Sequence, residues 1–187
     1  TYGKKIDLVV ASADLSYYDH LYLNKDSAGI YPATIKFPFG GDFLLIAEYT
    51  AIGLKLQTDT FHITVNGTTP RPAEYKSPVL LAHTDGYTVE LLSKKLRAYV
   101  QAQLVMKISK DGKPVFPESL QPIMGEQTHM VCVNTSTKAT MHTTSKNDPM
   151  SYWYLVNYPG GGLYKTWVEF KQQDKIHRAE FVVEVGN

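Results

Sequence analysis

Along the chain, apolar residues fall in short runs of about five to eight, mostly alternating with polar ones and broken by glycine, proline, asparagine and aspartate. A period of two is the signature of a strand with one buried face, and regular turn punctuation between such runs predicts a sandwich or barrel. The pattern predicts strands at Ile6–Ala11, Ile30–Phe37, Asp42–Thr50 and Thr60–Val65 in the first part of the chain. Further strands are predicted at Tyr87–Leu92, Gln101–Ser109, Thr128–Asn134, Ser151–Tyr158, Leu163–Lys171 and Ala179–Val185. No stretch of helical length sustains an apolar period of 3.6 residues, so the predicted class is all-β.

The pattern also repeats. Tyr2-Gly3 falls on Met124-Gly125, and the same offset carries Val9 onto Val131 and His20 onto His142. After a slip of one residue, Phe37-Pro38-Phe39-Gly40-Gly41-Asp42-Phe43 falls on Tyr158-Pro159-Gly160-Gly161-Gly162-Leu163-Tyr164. After one more, Phe61 meets Phe181 and Val65 meets Val185. The matches lie on turn glycines and alternating apolar positions, which backbone geometry selects. A duplication is expected, with a first domain at 1–67, a linker at 68–86 around Thr69-Pro70-Arg71-Pro72, and a second domain at 87–187. The glycine segments are expected to be hairpin turns, as is Lys110-Asp111-Gly112-Lys113. The first copy has no counterpart of Gln101–Ser109, which predicts an open sheet edge, filled by chain N-terminal to Thr1, by strand exchange or by a dimer.

Thirteen tyrosines suit pleated, half-buried surfaces, and 43% hydrophobic residues suffice for a packed core. A formal charge of +1 leaves no basic footprint for nucleic acid. No apolar run approaches the roughly 20 residues of a membrane-spanning helix, and Thr1 does not open a signal peptide. The start at Thr1 fits a fragment, a trimmed chain or a mature form from which a leader has been removed. The single cysteine, Cys132, lies in the alternating run Met130-Val131-Cys132-Val133, where a buried thiol is expected in place of a nucleophile.

The stretches Ile6 to His20, Phe37 to Phe43, Lys110-Asp111-Gly112-Lys113-Pro114, Gln121 to Gly125 with His129, and Gly162 to Trp167 together resemble the YtkA-like, immunoglobulin-like domains of bacterial secreted proteins and lipoproteins. The resemblance implies two tandem immunoglobulin-like β-sandwich domains, an extracytoplasmic location in the periplasm or at the cell surface, lipid anchoring through a removed leader, and a likeness in fold to small copper carriers. The family pattern carries His-x-His-Pro after the first strand. Here His20-Leu21-Tyr22-Leu23 replaces the second histidine with Tyr22, and His142-Thr143-Thr144-Ser145 likewise keeps one histidine.

Candidate chemistry is correspondingly sparse. Imidazole and thioether suit copper, which nominates His129, Met141 and His142, with His20 as a further ligand. Tyr17, Tyr18 and Tyr22 crowd one region and suit protein or carbohydrate recognition, because tyrosine gives contact area at low entropy cost. No Gly-x-Ser-x-Gly elbow accompanies the serines, and Gly160-Gly161-Gly162 leads into a strand, not the helix that a phosphate loop requires. The expectation is a binding or scaffolding protein without catalytic activity or obligatory cofactor. The alternatives are a periplasmic or surface copper protein and an adhesion module.

Overall fold

The structure, a computed structural model, describes residues 5–50, 57–92, 95–147 and 151–187. It divides into two compact units, Thr1–Glu74 and Tyr75–Asn187. Among the described residues there is no α-helix, only a 3-10 turn at Pro117–Ser119. Tyr2 and Gly3, with which the repeat opens, lie outside the described residues.

The N-terminal unit contains β1 (Lys5–Ser12), β2 (Tyr18–Asn24), β3 (Gly41–Tyr49) and β4 (Gln57–Val65). They form one antiparallel sheet in the order β2-β1-β3-β4. Alternation along these strands sorts their side chains onto two faces. One face gathers Leu8, Val10 and Phe43, with Leu45, Ile63 and Val65 packed around them, and Tyr17, Phe37 and Phe39 join this cluster from the connecting segments. The other face carries Val9, His20, Leu44, Ile46 and Glu48, as the registers Val9↔His20 and Val9↔Ile46 show.

The C-terminal unit contains β5 (Leu81–Thr84), β6 (Tyr87–Leu92), β7 (Leu96–Arg97), β8 (Ala102–Lys110), β9 (Lys113–Val115), β10 (Thr128–Asn134), β11 (Thr140–Thr144), β12 (Lys146–Asn147), β13 (Tyr152–Val156), β14 (Gly162–Gln172) and β15 (Lys175–Gly186). One sheet runs β11-β10-β14-β15-β7, and the other runs β12-β13-β8-β6-β5 with β9 beside β8. Their facing sides share one core: Val89, Leu91, Leu104, Met106 and Tyr154 from the second sheet meet Met130, Cys132, Val168, Phe181 and Val183 from the first. This unit is a β-sandwich.

The four strands β11-β10-β14-β15 have the order of β2-β1-β3-β4, and the pairing agrees residue by residue. Val9↔His20 corresponds to Val131↔His142, Val9↔Ile46 to Val131↔Trp167, and Leu45↔Phe61 to Thr166↔Phe181. These are the offsets of the sequence repeat. The glycines at the start of the third strand also correspond, Gly41 with φ 130° and Gly162 with φ 120°. At such angles an L side chain is strained, so glycine is required by the backbone.

Several expectations are corrected. Residues 30–37 form no strand. Their counterpart in the repeat is β13, which pairs with β8, and the described part of the N-terminal unit has no strand equivalent to β8 for this segment to pair with. Pro32 also lacks the backbone donor that a ladder would use. The glycine segment at 160–162 is not a hairpin turn, because β13 lies in one sheet and β14 in the other, so it carries the chain between sheets. The stretch 68–86 contains the division between units and ends in strand β5, which a two-residue Asp85-Gly86 turn pairs with β6. The Lys110–Lys113 turn is a hairpin, with Asp111 and Gly112 both at positive φ.

Candidate functional site

The two histidines nominated in the second copy come together. His129 lies on β10 and His142 on β11 opposite Val131, so both side chains project from the same face of their sheet. His129 is buried, and its Nε2 stands 2.9 Å from the Ile123 carbonyl oxygen. A carbonyl only accepts, so Nε2 carries the proton and donates, leaving Nδ1 as the acceptor in the neutral ring. His142 Nε2 lies 3.2 Å from that Nδ1 and donates to it. A local device aims the carbonyl: Met124 (φ 53°) and Gly125 (φ 99°) make a tight turn in which Ile123 and Glu126 exchange backbone hydrogen bonds.

Two imidazole nitrogens bound at 2.0–2.1 Å to one tetrahedral ion stand about 3.3 Å apart, so this spacing also fits a shared metal. Metal loading would remove the proton between the rings and move His142 to its other tautomer. Met141 does not join them. It opposes Cys132 on β10, and successive side chains on a strand face opposite ways, so its thioether packs on the sandwich core. Among the described residues of this unit, no further histidine, cysteine or carboxylate completes the pair.

His20 occupies the position in the N-terminal unit that corresponds to His142. Its Nδ1 lies 3.1 Å from the Tyr22 hydroxyl and the two rings stand 4.3 Å apart, so the tyrosine that replaces a second histidine is a hydrogen-bonding neighbour of the first. The three nominated tyrosines do not form one patch. Tyr18 is buried and shares a strand face with His20 and Tyr22, while Tyr17 turns to the other side and packs edge-on against Phe39 and Phe43.

Cys132 is fully buried, and burial pushes its thiol pKa up to about 11, with Tyr158 and Thr166 hydrogen bonds opposing only part of the shift. The thiolate that nucleophilic chemistry needs is therefore scarce at neutral pH. A surface groove of about 580 Å³ is lined by Leu80, Lys95, Leu96, Arg97 and Glu184, among others, and a second of about 370 Å³ lies beside Met106, Ile108 and Tyr152. Neither groove includes a histidine or a cysteine.

Sequence reasoning missed a second polar cluster at the β5–β6 turn. Lys175 Nζ and His177 Nδ1 reach the two Asp85 oxygens at 2.9 and 2.8 Å, and together they hold the Asp85 carboxyl below its usual range, Lys175 most strongly. The Asp85-Gly86 dipeptide was the available signal, since it marks a two-residue hairpin.

No curated protein and no solved structure matches the chain. Residues 82–187, more than half of the chain, match a family described as a domain of unknown function, and the chain accordingly belongs to that family, DUF8832.

Proposed function

We propose that the chain is a non-catalytic binding or scaffolding protein of the bacterial cell envelope, built from two tandem immunoglobulin-like units. The observation that carries this reading is the shared strand order and register of β2-β1-β3-β4 and β11-β10-β14-β15. Repetition of one sheet with different side chains serves display and spacing, and it requires no catalytic constellation. The groups that could have served chemistry already have structural neighbours: Cys132 in the core, His129 on a carbonyl, His20 against Tyr22. The extracytoplasmic location rests on the resemblance to YtkA-like domains.

A second reading, a copper or zinc protein, is favoured by the 3.2 Å separation of the His129 and His142 nitrogens. Within the C-terminal unit the described residues supply these two nitrogens, and a competent site uses three or four ligands. Calorimetric titration with Cu(I), Cu(II) and Zn(II), in the wild type and in a His129→Ala/His142→Ala double variant, separates the readings. The scaffold reading predicts no stoichiometric uptake tighter than about 10 µM. Stoichiometric uptake that disappears in the double variant would replace it with the metal reading.

A further inference from the structure

β4 ends at Val65, which pairs with Gly41, and a few residues later the Gly40 N–H donates to the Thr68 carbonyl at 3.0 Å. Asn66 and Gly67 lie between these two anchors. Gly67 has φ 146°, which strains any L side chain, and a Cβ there would stand 3.2 Å from the Gly40 nitrogen. The backbone therefore dictates glycine at 67, and no other glycine of the chain follows an asparagine. Asn66 is exposed, and among the described residues no acceptor takes the Gly67 N–H.

We propose that Asn66 is the site at which this chain modifies itself, by spontaneous deamidation to aspartate and isoaspartate. Base removes the Gly67 amide proton, and the nitrogen bonds to Asn66 Cγ while the Cγ–Nδ2 bond breaks and Nδ2 leaves as ammonia. Water then opens the resulting succinimide ring at one of its two carbonyls. Opening at Cγ restores the backbone with an aspartate at 66, whereas opening at the backbone carbonyl carbon leaves an isoaspartate, whose main chain is one carbon longer. Nothing is oxidised or reduced, and water is the co-reactant. Attack requires an accessible amide carbon and a following nitrogen that no side chain shields and no hydrogen bond holds, and Asn66-Gly67 provides both. Asn134 provides neither. It is 2% exposed, its Nδ2 donates to the Gly161 carbonyl, its Oδ1 accepts from the Ser136 and Thr137 amides, and the Thr135 N–H that would have to attack donates to the Leu163 carbonyl at 2.9 Å. Asn24, Asn147 and Asn157 are each followed by a residue with a side chain. The isoaspartyl form inserts an atom between two fixed points, the Gly41–Val65 pairing and the Gly40–Thr68 hydrogen bond, and so displaces Gly67 from its seat on Gly40. Either product carries one more negative charge than the formal +1 chain.

The inference goes beyond the scaffold reading and does not depend on it. Its test is to age the whole folded chain in mildly alkaline buffer beside a synthetic peptide covering residues 61–71, with Asn66→Gln as the control because glutamine would have to close a larger ring. Peptide mapping by mass spectrometry, ammonia release and labelling by an isoaspartyl methyltransferase read the products. The expected result is aspartate and isoaspartate at position 66, formed with one ammonia per chain, at a rate within about tenfold of the peptide's, as a loop outside the strand ladder allows. Conversion accelerates as pH rises, disappears in Asn66→Gln, and lowers the thermal midpoint in proportion to the isoaspartyl fraction. A rate more than about tenfold below the peptide's would overturn the proposal, because the two anchors would then be holding the Gly67 nitrogen away from Cγ. Conversion of another asparagine ahead of Asn66 would overturn it as well. Neither outcome would alter the shared register on which the scaffold reading depends.

Discussion

At the scale of single residues, the groups that look reactive in the sequence are held by burial and hydrogen bonding. Cys132 is the clearest case: a thiol with its pKa near 11 and no exposed surface reacts with neither a disulfide reagent nor an alkylating agent while the sandwich is folded. Labelling with such a reagent is expected to be negligible in native buffer and stoichiometric in denaturant; rapid native labelling would contradict the packing. Tyr154 makes a buried 2.6 Å hydrogen bond with the Thr128 hydroxyl across the sandwich. Tyr154→Phe removes that partner and is expected to lower unfolding free energy by about 1–2 kcal/mol in a denaturant titration. The His129–His142 contact was within reach of the sequence only on the condition that the segment after Thr128–Asn134 pairs with that strand, since β11 carries no strand pattern of its own. The direction of Met141 was not, because its side depends on pairing register, and a shift of one residue reverses every side chain.

At the scale of elements, strands whose apolar runs are bounded by polar or turn residues, such as Asp42–Thr50 and Thr128–Asn134, were legible almost to their ends. β2 and β11 were not, for an identifiable reason. Their sequences, Tyr-Asp-His-Leu-Tyr-Leu-Asn and Thr-Met-His-Thr-Thr, are polar or amphipathic at most positions, as befits strands at the end of a sheet with partly exposed side chains. Ile30–Phe37 failed in the opposite way, having a strand-like pattern but no strand to pair with. A pattern specifies which face a strand would bury, whereas pairing depends on what lies beside it. The turn glycines were legible because their demand is local. Gly162 at φ 120° faces the Asn134 amide, and Gly162→Ala is expected to destabilise the sandwich by about 1–2 kcal/mol, read from its thermal midpoint.

At the scale of the whole molecule, the all-β class was legible from the period-two pattern, and the equivalence of the two sheets was legible from the repeat. Acid sensitivity also belongs to this scale. Burial raises the Asp14 carboxyl, but hydrogen bonds from Ser12, the Ala73 amide and Ser16 outweigh it, and Asp85 is lowered by Lys175 and His177. A carboxyl held lower in the folded than in the unfolded chain contributes stability above its ordinary pKa, and that contribution is lost as pH falls through the folded value. Thermal midpoints are expected to be flat near neutrality and to fall below about pH 4, more gradually in Asp14→Asn and Asp85→Asn.

The central claim is that one sheet design occurs twice, its core face lying under a second sheet in the C-terminal unit and under Tyr17, Ile35, Phe37 and Phe39 in the N-terminal one, where Phe61 stays exposed. It is tested most directly by denaturant unfolding of Phe181→Ala and Phe61→Ala. The account predicts a loss of about 3–5 kcal/mol for Phe181→Ala and less than about 1 kcal/mol for Phe61→Ala. Equal losses at the two equivalent positions would contradict it.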